Sequence, residues 1–360
     1  MEFNQTLNEI MDAFEINLNI SPYGDGHINE TFVADSSPRY ILQKINTSIF
    51  TDPEKLMQNI NAVTLYLRDI IKENGGNPDR ETLTVIKTKD GKLYYQTTDG
   101  SCYRVYKFIE DSFALNLPEN PEQFASSATA FGRFQNMLAG FDASTLYETI
   151  PDFHNTPKRT EALKKAYSEN LSGRRDNAQD VYDGYSEFEA QCAIITGDLE
   201  SGAIPMRVTH NDTKLNNVLF DKFTKESLCV IDLDTVMPGS LLFDYGDSLR
   251  FGASTAVEDE ADLDKVWFDL EYFESYTKAF LEEMGDKITK REVELLPLSA
   301  LTLTYECGIR FLTDYFNGDT YFRTHYPEQN LVRAKNHLKL CRDIFSKMDE
   351  MKKIVAKYEQ

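Results

Sequence analysis

The sequence has few cysteines and histidines, and they occur at none of the spacings that usually hold a metal ion. Its five cysteines are far apart, are odd in number and form no Cys-x-x-Cys pair. Most of them occupy apolar patterns, so we expect reduced core residues and not a cross-linked secreted scaffold. The five histidines are also scattered, without a His-Glu-x-x-His motif or a Cys/His cluster. The common zinc-binding patterns are therefore absent.

The sequence also has no excess of positive charge and no long apolar run, and we expect no signal peptide at its start. The chain has 38 Lys and Arg against 59 Asp and Glu, a net charge of −21, which repels nucleic-acid backbones and anionic lipid. No apolar run approaches the length of a bilayer span, and MEFNQTLNEIMDAF does not resemble a signal peptide. We therefore expect a cytoplasmic protein without nucleic-acid or membrane partners. The Gly-x-Ser-x-Gly motif of hydrolases and the Gly-x4-Gly-Lys loop of P-loop enzymes are missing too.

What is present is a chain of 360 residues, long enough for about two domains. Hydrophobic periodicity changes near residues 110–120. Before this boundary it predicts helices over 3–17 and 53–72 and strands over 39–45, 82–88, 92–98 and 102–109. After it, short strands around 206–234 interrupt predicted helices over 121–139, 157–171, 176–198, 262–284, 290–316 and 328–357. The pattern predicts an α+β protein with a small antiparallel sheet domain, residues 1–110, and a larger, mainly helical domain, residues 111–360.

The most informative stretch spans residues 210–234. It contains the letters HNDTKLNN after one β-rich run and VIDLD after a second. Protein kinases have the same order of a catalytic loop and a strand ending in a metal-binding Asp. In that chemistry one carboxylate, here Asp212, accepts the proton of an attacking hydroxyl. An amide, Asn217, and a second carboxylate, Asp232, hold Mg²⁺ against the phosphates. The spacing predicts phosphoryl transfer to a hydroxyl; the alternative is that these residues serve turns and caps.

A glycine loop, SPYGDGHINE, opens the predicted sheet. A backbone without Cβ atoms can approach phosphates closely, so we assign Gly24, Gly26 and the adjacent His27 to nucleotide binding. The alternative is an ordinary hairpin turn, in which Gly-x-Gly is also common.

Lys44 follows in a strand of apolar residues, where a kinase has the lysine that contacts the α- and β-phosphates. The alternative is a lysine on the solvent-exposed face of an alternating strand. The acidic partner of Lys44 stays open, because the next helix offers only Glu54 in its first turn, where an acid also serves as a cap. The predicted sheet ends where a nucleotide kinase has the hinge between its two lobes. Backbone groups near Lys107 and Ile109 would therefore form hydrogen bonds with adenine.

Together these features resemble the aminoglycoside phosphotransferase and choline kinase branch of the protein-kinase-like fold, over nearly the whole chain. The segments YGDGHINETF, FHNTPKR, THNDTKLNNVLFD and VIDLDTVMPGSLLFDYGDSLR resemble N-acetylhexosamine 1-kinases in particular. The resemblance implies a two-lobed fold with ATP and Mg²⁺ as cofactors. It also implies phosphorylation of the anomeric hydroxyl of N-acetylglucosamine and N-acetylgalactosamine.

The resemblance also implies roles for individual residues. Asp212 would be the catalytic base, Asn217 and Asp232 would bind Mg²⁺, and Lys214 would neutralise charge on the transferred phosphoryl group. Asp234 would be either a second metal ligand or a contact for substrate hydroxyls.

Further residues are expected to brace the site or to contact the acceptor. A histidine two residues before the catalytic Asp, here His210, usually braces the loop through hydrogen bonds. Either Asp244 or Asp247, with Asp244 favoured, should accept hydrogen bonds from N–H groups of the loop. Arg310 lies in an apolar helix, where its charge needs a protein carboxylate or a ligand oxygen as partner. The resemblance favours substrate contact, with these residues nearby: Ile28, Thr235, Phe251 and Tyr321. Phe251 or Tyr321 could stack on a sugar ring, although either is equally compatible with core packing.

Two alternative functions stay open. The first keeps the mechanism and changes the acceptor to an aminoglycoside, choline, homoserine or another small alcohol. The second is a non-catalytic, kinase-like nucleotide-binding protein, against which the intact Asp212, Asn217 and Asp232 argue.

Overall fold

The computed structural model describes residues 2–16, 19–24 and 29–359, with side chains from residue 6 onward. The helices, numbered in chain order, are α1 Glu2–Phe14, α2 Pro53–Glu73, α3 Pro78–Glu81, α4 Pro121–Met137, α5 Thr156–Glu169, α6 Gln179–Tyr185, α7 Glu189–Cys192, α8 Ile194–Ser201, α9 Leu241–Gly252, α10 Leu270–Met284, α11 Lys290–Asn317, α12 Gln329–Ser346 and α13 Met348–Tyr358. The strands are β1 Ile20–Pro22, β2 Glu30–Ala34, β3 Tyr40–Ile45, β4 Val85–Ile86, β5 Tyr95–Gln96, β6 Cys102–Lys107, β7 Ser112–Ala114, β8 Arg207–Thr209, β9 Val218–Asp221, β10 Ser227–Val230 and β11 Met237–Gly239.

The chain forms two compact units, each built from several stretches. The first unit comprises Met1–Ala114, Gly140–Pro151 and Val218–Pro238; the second comprises Leu115–Ala139, Asp152–Asn217 and Gly239–Gln360. The boundary predicted at residues 110–120 lies at the end of the first of these stretches. Residues 218–238 belong with the first unit because β9 and β10 pair with β7 in a small antiparallel sheet.

The main sheet of the first unit has the strand order β1-β2-β3-β6-β4, with β5 also paired to β6, and all of its pairs are antiparallel. One face packs against α1 through a core formed by Ile10, Ala13, Phe14, Ala34, Leu42, Tyr103 and Val105. Successive side chains of a strand point to opposite faces. Gln43 and Arg104, which are cross-strand neighbours, therefore lie on the face away from α1.

Helix α2 connects the separate stretches of the first unit. It begins after Asp52, whose side chain accepts the N–H of Lys55 at 3.1 Å, as the capping pattern predicts. The buried amide of Asn59 donates to the carbonyl oxygens of Tyr147, at 2.7 Å, and Val236, at 3.0 Å. One side chain thus holds α2 to the other two stretches of this unit.

The second unit is built around α11, which is buried along most of its length. Thr289 and Glu292 form a capping box at its start, each bonding the other's backbone N–H. Helix α9 crosses α11 closely at Gly246, where an added Cβ would lie 2.4 Å from the carbonyl oxygen of Ser299. A glycine is required there because only a helix without a side chain at that point can approach so closely.

Most predicted elements agree with the structure, with several differences. The helix predicted over 262–284 begins only at Leu270, the strands predicted over 82–88 and 92–98 shorten to β4 and β5, and α9 was not predicted. Two further predicted helices are interrupted. Residues 176–198 form α6, α7 and the start of α8 with short 3-10 turns around them; Gly184 and Gly197 lower helix propensity there. Residues 328–357 form α12 and α13, divided at Lys347, whose ammonium group donates to the carbonyl oxygen of Phe268 at 2.7 Å.

The cysteines are free thiols, as expected, with Cys307 half-buried and the other four buried. Among the described residues, no helix combines the length and apolar composition needed to cross a membrane.

Candidate functional site

Residues 210–217 form a loop that brings together three side chains predicted to act in catalysis. The loop follows β8 and ends in a 3-10 turn. Lys214 Nζ lies 3.0 Å from Oδ1 of Asp212. Asn217 Nδ2 donates to the backbone oxygen of Asp212 at 2.8 Å and to its Oδ2 at 3.3 Å. The carboxylate of Asp212 is therefore held between a cation and an amide.

The backbone of this loop is fixed by Asp244, in the first turn of α9. Its carboxylate accepts the N–H groups of His210, at 2.9 Å, and Asn211, at 2.7 Å, and the side-chain amide of Gln135, at 2.7 Å. Asn211 has a left-handed backbone, φ +66°, which asparagine tolerates better than most residues. His210 Nδ1 accepts the N–H of Asp212 at 3.3 Å. These contacts confirm the predicted bracing by His210 and Asp244.

Asp247 also binds the backbone of the loop, and its negative charge affects the pKa of Lys214. It accepts the N–H of Thr213 at 3.1 Å and is bonded by Arg250 Nε at 3.0 Å. Burial would raise the pKa of Asp247, but the charges of Arg250 and Lys214 hold it below its ordinary value. The pKa of Lys214 is raised chiefly by the charge of Asp212, with a further contribution from Asp247. Lys214 therefore stays charged beside Asp212.

A second polar cluster contacts the loop formed by residues 210–217 through His154, in the segment before α5. His154 Nδ1 lies 2.7 Å from Oε1 of Glu306, and His154 Nε2 lies 3.3 Å from the backbone oxygen of Asn211. Both partner atoms are acceptors, so each ring nitrogen needs a hydrogen for both contacts to be hydrogen bonds. Thr156 donates to the other carboxylate oxygen of Glu306 at 2.9 Å. This cluster ties α11 to the residue that precedes Asp212.

Arg310 follows Glu306 by one turn on α11 and is surrounded by aromatic rings. Its guanidinium carbon lies 5.5 Å from the ring centroids of Phe153 and Phe322 and 5.9 Å from that of Tyr321. Of the residues predicted to contact the acceptor, the structure thus brings Arg310 and Tyr321 together. An arginine beside three rings offers hydrogen-bond donors and a flat apolar surface at one place.

Asp314, a further turn along α11, orders the segment that carries Tyr321. Its carboxylate accepts the N–H of Tyr321 at 2.8 Å and that of Phe322 at 2.9 Å. Tyr321 is 66% exposed. The hydrogen bonds from its backbone and that of Phe322 to Asp314 therefore keep its ring near Arg310. Phe251, another predicted acceptor contact, is half-buried near the end of α9.

In the first unit, the residues after β10 form a tight turn that carries the predicted metal ligand Asp232. Asp232 has a left-handed backbone, φ +58°, a conformation that is costly outside glycine and is often found at functional sites. Asp234 accepts a hydrogen bond from the amide of Asn29 at 2.6 Å and forms a buried ion pair with Arg104. Asp234, predicted to contact metal or substrate, thus has protein partners at both oxygens. Thr235, a predicted acceptor contact, is buried beside it.

Lys44 lies on the face of the sheet that packs against α1. It points to the same side of β3 as Leu42, whereas Gln43 points with Arg104 to the other side. Its side chain is 36% exposed, and its Nζ lies 3.7 Å from the carboxylate of its cross-strand neighbour Glu30. Of the two interpretations of Lys44, the exposed lysine of an alternating strand agrees with this placement, and the phosphate-binding lysine does not. The physical reason is the two-residue period of the strand.

The other residues assigned to nucleotide binding are placed as follows. The Lys107 side chain bonds to Asp79 at 2.9 Å, and its backbone N–H donates to Thr84 at 3.0 Å. Ile109 is buried, and its carbonyl oxygen accepts the hydroxyl of Ser112 at 2.7 Å. Glu54, the open candidate for the partner of Lys44, accepts the amide of Gln58 at 3.2 Å. Gly24 has a left-handed backbone, φ +72°. The predicted nucleotide contacts Gly26 and His27 and the predicted acceptor contact Ile28 lie outside the described residues.

The predicted Mg²⁺ ligands are Asn217 in the second unit and Asp232 in the first. An amide oxygen and a carboxylate are hard oxygen donors, the type that Mg²⁺ prefers. The amide nitrogen of Asn217 is used within its own loop, so its oxygen is the atom that could bind a cation. The chemistry of these two donors therefore fits Mg²⁺.

A different group combines Glu258, Cys307 and His337, whose potential ligand atoms lie within 4.8 Å of one another. The sequence did not indicate this grouping of a histidine with a cysteine. Glu258, however, contacts Arg250 Nη1 at 3.3 Å and Arg333 Nε at 3.7 Å. These two positive charges oppose a cation there, so the group is better described as a charge-paired cluster.

Sequence reasoning missed Arg104, His154, Glu306 and Asp314. A signal existed for two of them, because Glu306, Arg310 and Asp314 recur every four residues in an otherwise apolar helix. That spacing places three charges on one helix face. Arg104 could have been noticed as a charge within an apolar strand, but its partner could not.

The comparisons with known proteins agree with this fold. The model of a phosphotransferase enzyme family matches residues 19–272. An aminoglycoside phosphotransferase structure from Alicyclobacillus acidocaldarius has 15% identity and a TM-score of 0.61, covering 95% of this chain and 94% of that chain. A spectinomycin phosphotransferase in complex with ADP and spectinomycin has 14% identity and a TM-score of 0.58, covering 96% and 98%. A choline kinase from Streptococcus pneumoniae has 12% identity and a TM-score of 0.53, covering 96% and 100%. These similarities confirm the predicted aminoglycoside phosphotransferase-like fold.

Proposed function

Because the chain belongs to the phosphotransferase enzyme family, we propose that it transfers the γ-phosphoryl group of ATP to the anomeric C1 hydroxyl of N-acetylglucosamine and N-acetylgalactosamine. The products are the sugar 1-phosphate and ADP. The observation that carries this proposal is the catalytic loop, in which Asp212 is held beside Lys214 and Asn217. The resemblance of four segments to N-acetylhexosamine 1-kinases supports the choice of acceptor.

In the proposed reaction, Asp212 accepts the proton of the C1 hydroxyl of the sugar. The hydroxyl oxygen attacks the γ-phosphorus at the same time. The new sugar O–P bond forms, the bond between γ-phosphorus and the β–γ bridging oxygen breaks, and its electron pair leaves on ADP. Lys214 neutralises developing negative charge. An anomeric hydroxyl is more acidic than an ordinary alcohol, so holding it in place matters more than base strength. Mg²⁺ held by Asn217 and Asp232 would supply further charge neutralisation on the phosphates.

The charges around Arg310 favour a neutral acceptor over a cationic one. Arg310, Arg159 and His154 all lie close enough to the Glu306 carboxylate to lower its pKa. Burial and then the positive charge of Arg310 lower the pKa of Arg159 overall, although Glu306 and Asp152 act in the opposite direction. A cationic aminoglycoside or choline would be repelled by the charge of Arg310. A neutral sugar can instead accept hydrogen bonds from Arg310 and stack on Tyr321.

The function is tested by identifying the product. The protein is incubated with ATP, Mg²⁺ and each N-acetylhexosamine, and the phosphorylated position is determined by phosphorus NMR. We expect a 1-phosphate and an equal amount of ADP, with a kcat/KM at least about 10-fold higher than for an aminoglycoside, choline or homoserine. A 6-phosphate would contradict the regiochemistry, and a faster cationic acceptor would contradict the acceptor class. Binding of Mg²⁺·ATP without turnover of any acceptor would favour the non-catalytic alternative.

The role of Arg310 is tested by replacing it with lysine. Lysine keeps the positive charge but loses the planar fork of donors, so we expect the KM for the sugar to rise about 10-fold. The KM for ATP should stay within about 2-fold, because the change affects only the acceptor. The matched control is Arg342→Lys, at a half-exposed arginine on α12 paired with Glu187, which should change neither constant. Equal rises in both KM values for Arg310→Lys would contradict an acceptor contact.

A further inference from the structure

The first unit has an arginine on the face of the sheet where the strand lysine was expected. In the register of β3 and β6, Gln43 lies opposite Arg104, and Lys44 lies opposite Tyr103. Tyr103 belongs to the core beneath α1. Lys44 and Arg104 therefore point to opposite faces, and it is the face of Arg104 that carries Asp234.

Arg104 is the centre of a hydrogen-bonded row that crosses three strands. Gln43 Nε2 donates to Thr31 Oγ1 at 3.0 Å, and Arg104 Nε donates to Gln43 Oε1 at 3.0 Å. The side chain of Arg104 is 1% exposed and that of Asp234 is 5% exposed. A buried ion pair keeps its geometry when its remaining donors and acceptors are also satisfied. On the arginine side, the hydrogen bond from Arg104 Nε to Gln43 satisfies one of the remaining donors.

On the aspartate side, the row continues to the end of the glycine loop. Asn29 donates to Asp234 at 2.6 Å, and its own oxygen accepts the N–H of Asn46 at 2.9 Å. Asn29 and Arg104 thus contact the two oxygens of one carboxylate, that of Asp234, in the turn after β10.

We propose that Arg104, and not Lys44, is the basic residue of the main sheet on which nucleotide binding in the first unit depends, and that it acts without contacting the phosphates itself. Arg104 is a positioning residue: by holding Asp234, it fixes the turn that presents Asp232 to Mg²⁺ and the nucleotide phosphates. This inference rests on the proposed function, because it concerns the same nucleotide.

The planar fork of arginine explains why a lysine would not serve at this place. Arg104 binds Asp234 and Gln43 at the same time from one rigid group, whereas a lysine offers a single point charge on a flexible stem. The left-handed backbone of Asp232 has to be held by its surroundings. The ion pair two residues later provides such a constraint.

The experiment measures the affinity of the purified protein for ADP by calorimetry, with and without Mg²⁺. Arg104→Lys keeps the charge and changes the geometry, so we expect the affinity for Mg²⁺·ADP to fall about 10-fold or more. The affinity for ADP without Mg²⁺ should change by less than about 2-fold, because Asp232 then has no ion to hold. The matched variant Lys44→Met, on the opposite face, should leave both affinities within about 2-fold.

Three results would overturn the inference: a loss of about 10-fold in Mg²⁺·ADP affinity for Lys44→Met, wild-type affinity for Arg104→Lys, or equal losses with and without Mg²⁺. If Arg104→Lys does not fold, Gln43→Leu removes one hydrogen bond from Arg104, and a loss confined to Mg²⁺·ADP is again expected. A wild-type protein that binds Mg²⁺·ADP but forms no sugar 1-phosphate contradicts the proposed function only. A wild-type protein that binds no Mg²⁺·ADP overturns both.

Discussion

Replacing Asp212 by asparagine is expected to lower kcat for sugar phosphorylation by about 10³-fold. An amide has nearly the same shape as the carboxylate but cannot accept the proton of the C1 hydroxyl. The loop should keep its conformation, because Asp244 and Asp247 hold its backbone through the N–H groups of His210, Asn211 and Thr213. The rate is measured as formation of ADP in the presence of the sugar, and nucleotide affinity is measured by calorimetry.

The matched control is Asp349→Asn, the same chemical change at a side chain that is 91% exposed and contacts Lys352 on its own helix. This variant should keep the wild-type kcat. If Asp212→Asn retained a kcat within about 10-fold of wild type, the carboxylate would serve for positioning and not as the base. If Asp212→Asn lost nucleotide affinity as well, the damage would extend beyond proton transfer.

The sequence could predict this loop because its candidate catalytic residues are close together in sequence. Asp212, Lys214 and Asn217 lie within six residues, so their side chains are close together once distant residues such as Asp244 and Asp247 hold the loop. The sequence also named Asp244 and Asp247 as candidates for bracing the loop, although it predicted no helix over the residues that form α9. Motif order and strand periodicity likewise predicted the antiparallel sheet and its helix.

The sequence could not settle which strand residue faces the turn that carries the predicted metal ligand Asp232. Gln43 and Lys44 are adjacent, and a shift of one residue reverses every side chain between the two faces. The apolar run around Lys44 is compatible with either register. Only the pairing with β6 shows that Lys44 faces α1 and that Arg104 faces Asp234.

Long-range polar pairs were unpredictable for a related reason. His154 and Glu306 are 152 residues apart in sequence, and either residue alone has many possible partners. The chain also returns to the first unit twice, through residues 140–151 and 218–238, which a single predicted boundary cannot describe. The chain returns to the first unit through long-range contacts such as those of Asn59, which the hydrophobic periodicity of the sequence does not reveal.

Replacing Glu306 by leucine is expected to lower the free energy of unfolding by about 3–5 kcal/mol, the cost of removing one partner from a buried charge pair. The side chain of Glu306 is 1% exposed. Its loss would leave His154, Arg310 and Arg159 without the carboxylate whose pKa they lower, and the Thr156 hydroxyl without its acceptor. The measurement is urea unfolding at neutral pH, with the slope used to check that the denatured state is unchanged.

Comparison with a control and with acid pH separates this ion cluster from ordinary packing. Glu294→Leu makes the same change at an exposed position of α11, where the carboxylate only contacts Arg291 at 3.2 Å, and should cost about 1 kcal/mol or less. Burial would raise the pKa of Glu306, but His154 and the two arginines lower it overall from the ordinary value of 4.5. Its stabilising contribution is therefore complete above that value and is lost as the pH falls through the lower folded-state value. The difference between wild type and Glu306→Leu should accordingly shrink in acid, and a difference independent of pH would show that packing, not charge, holds α11 to the catalytic loop.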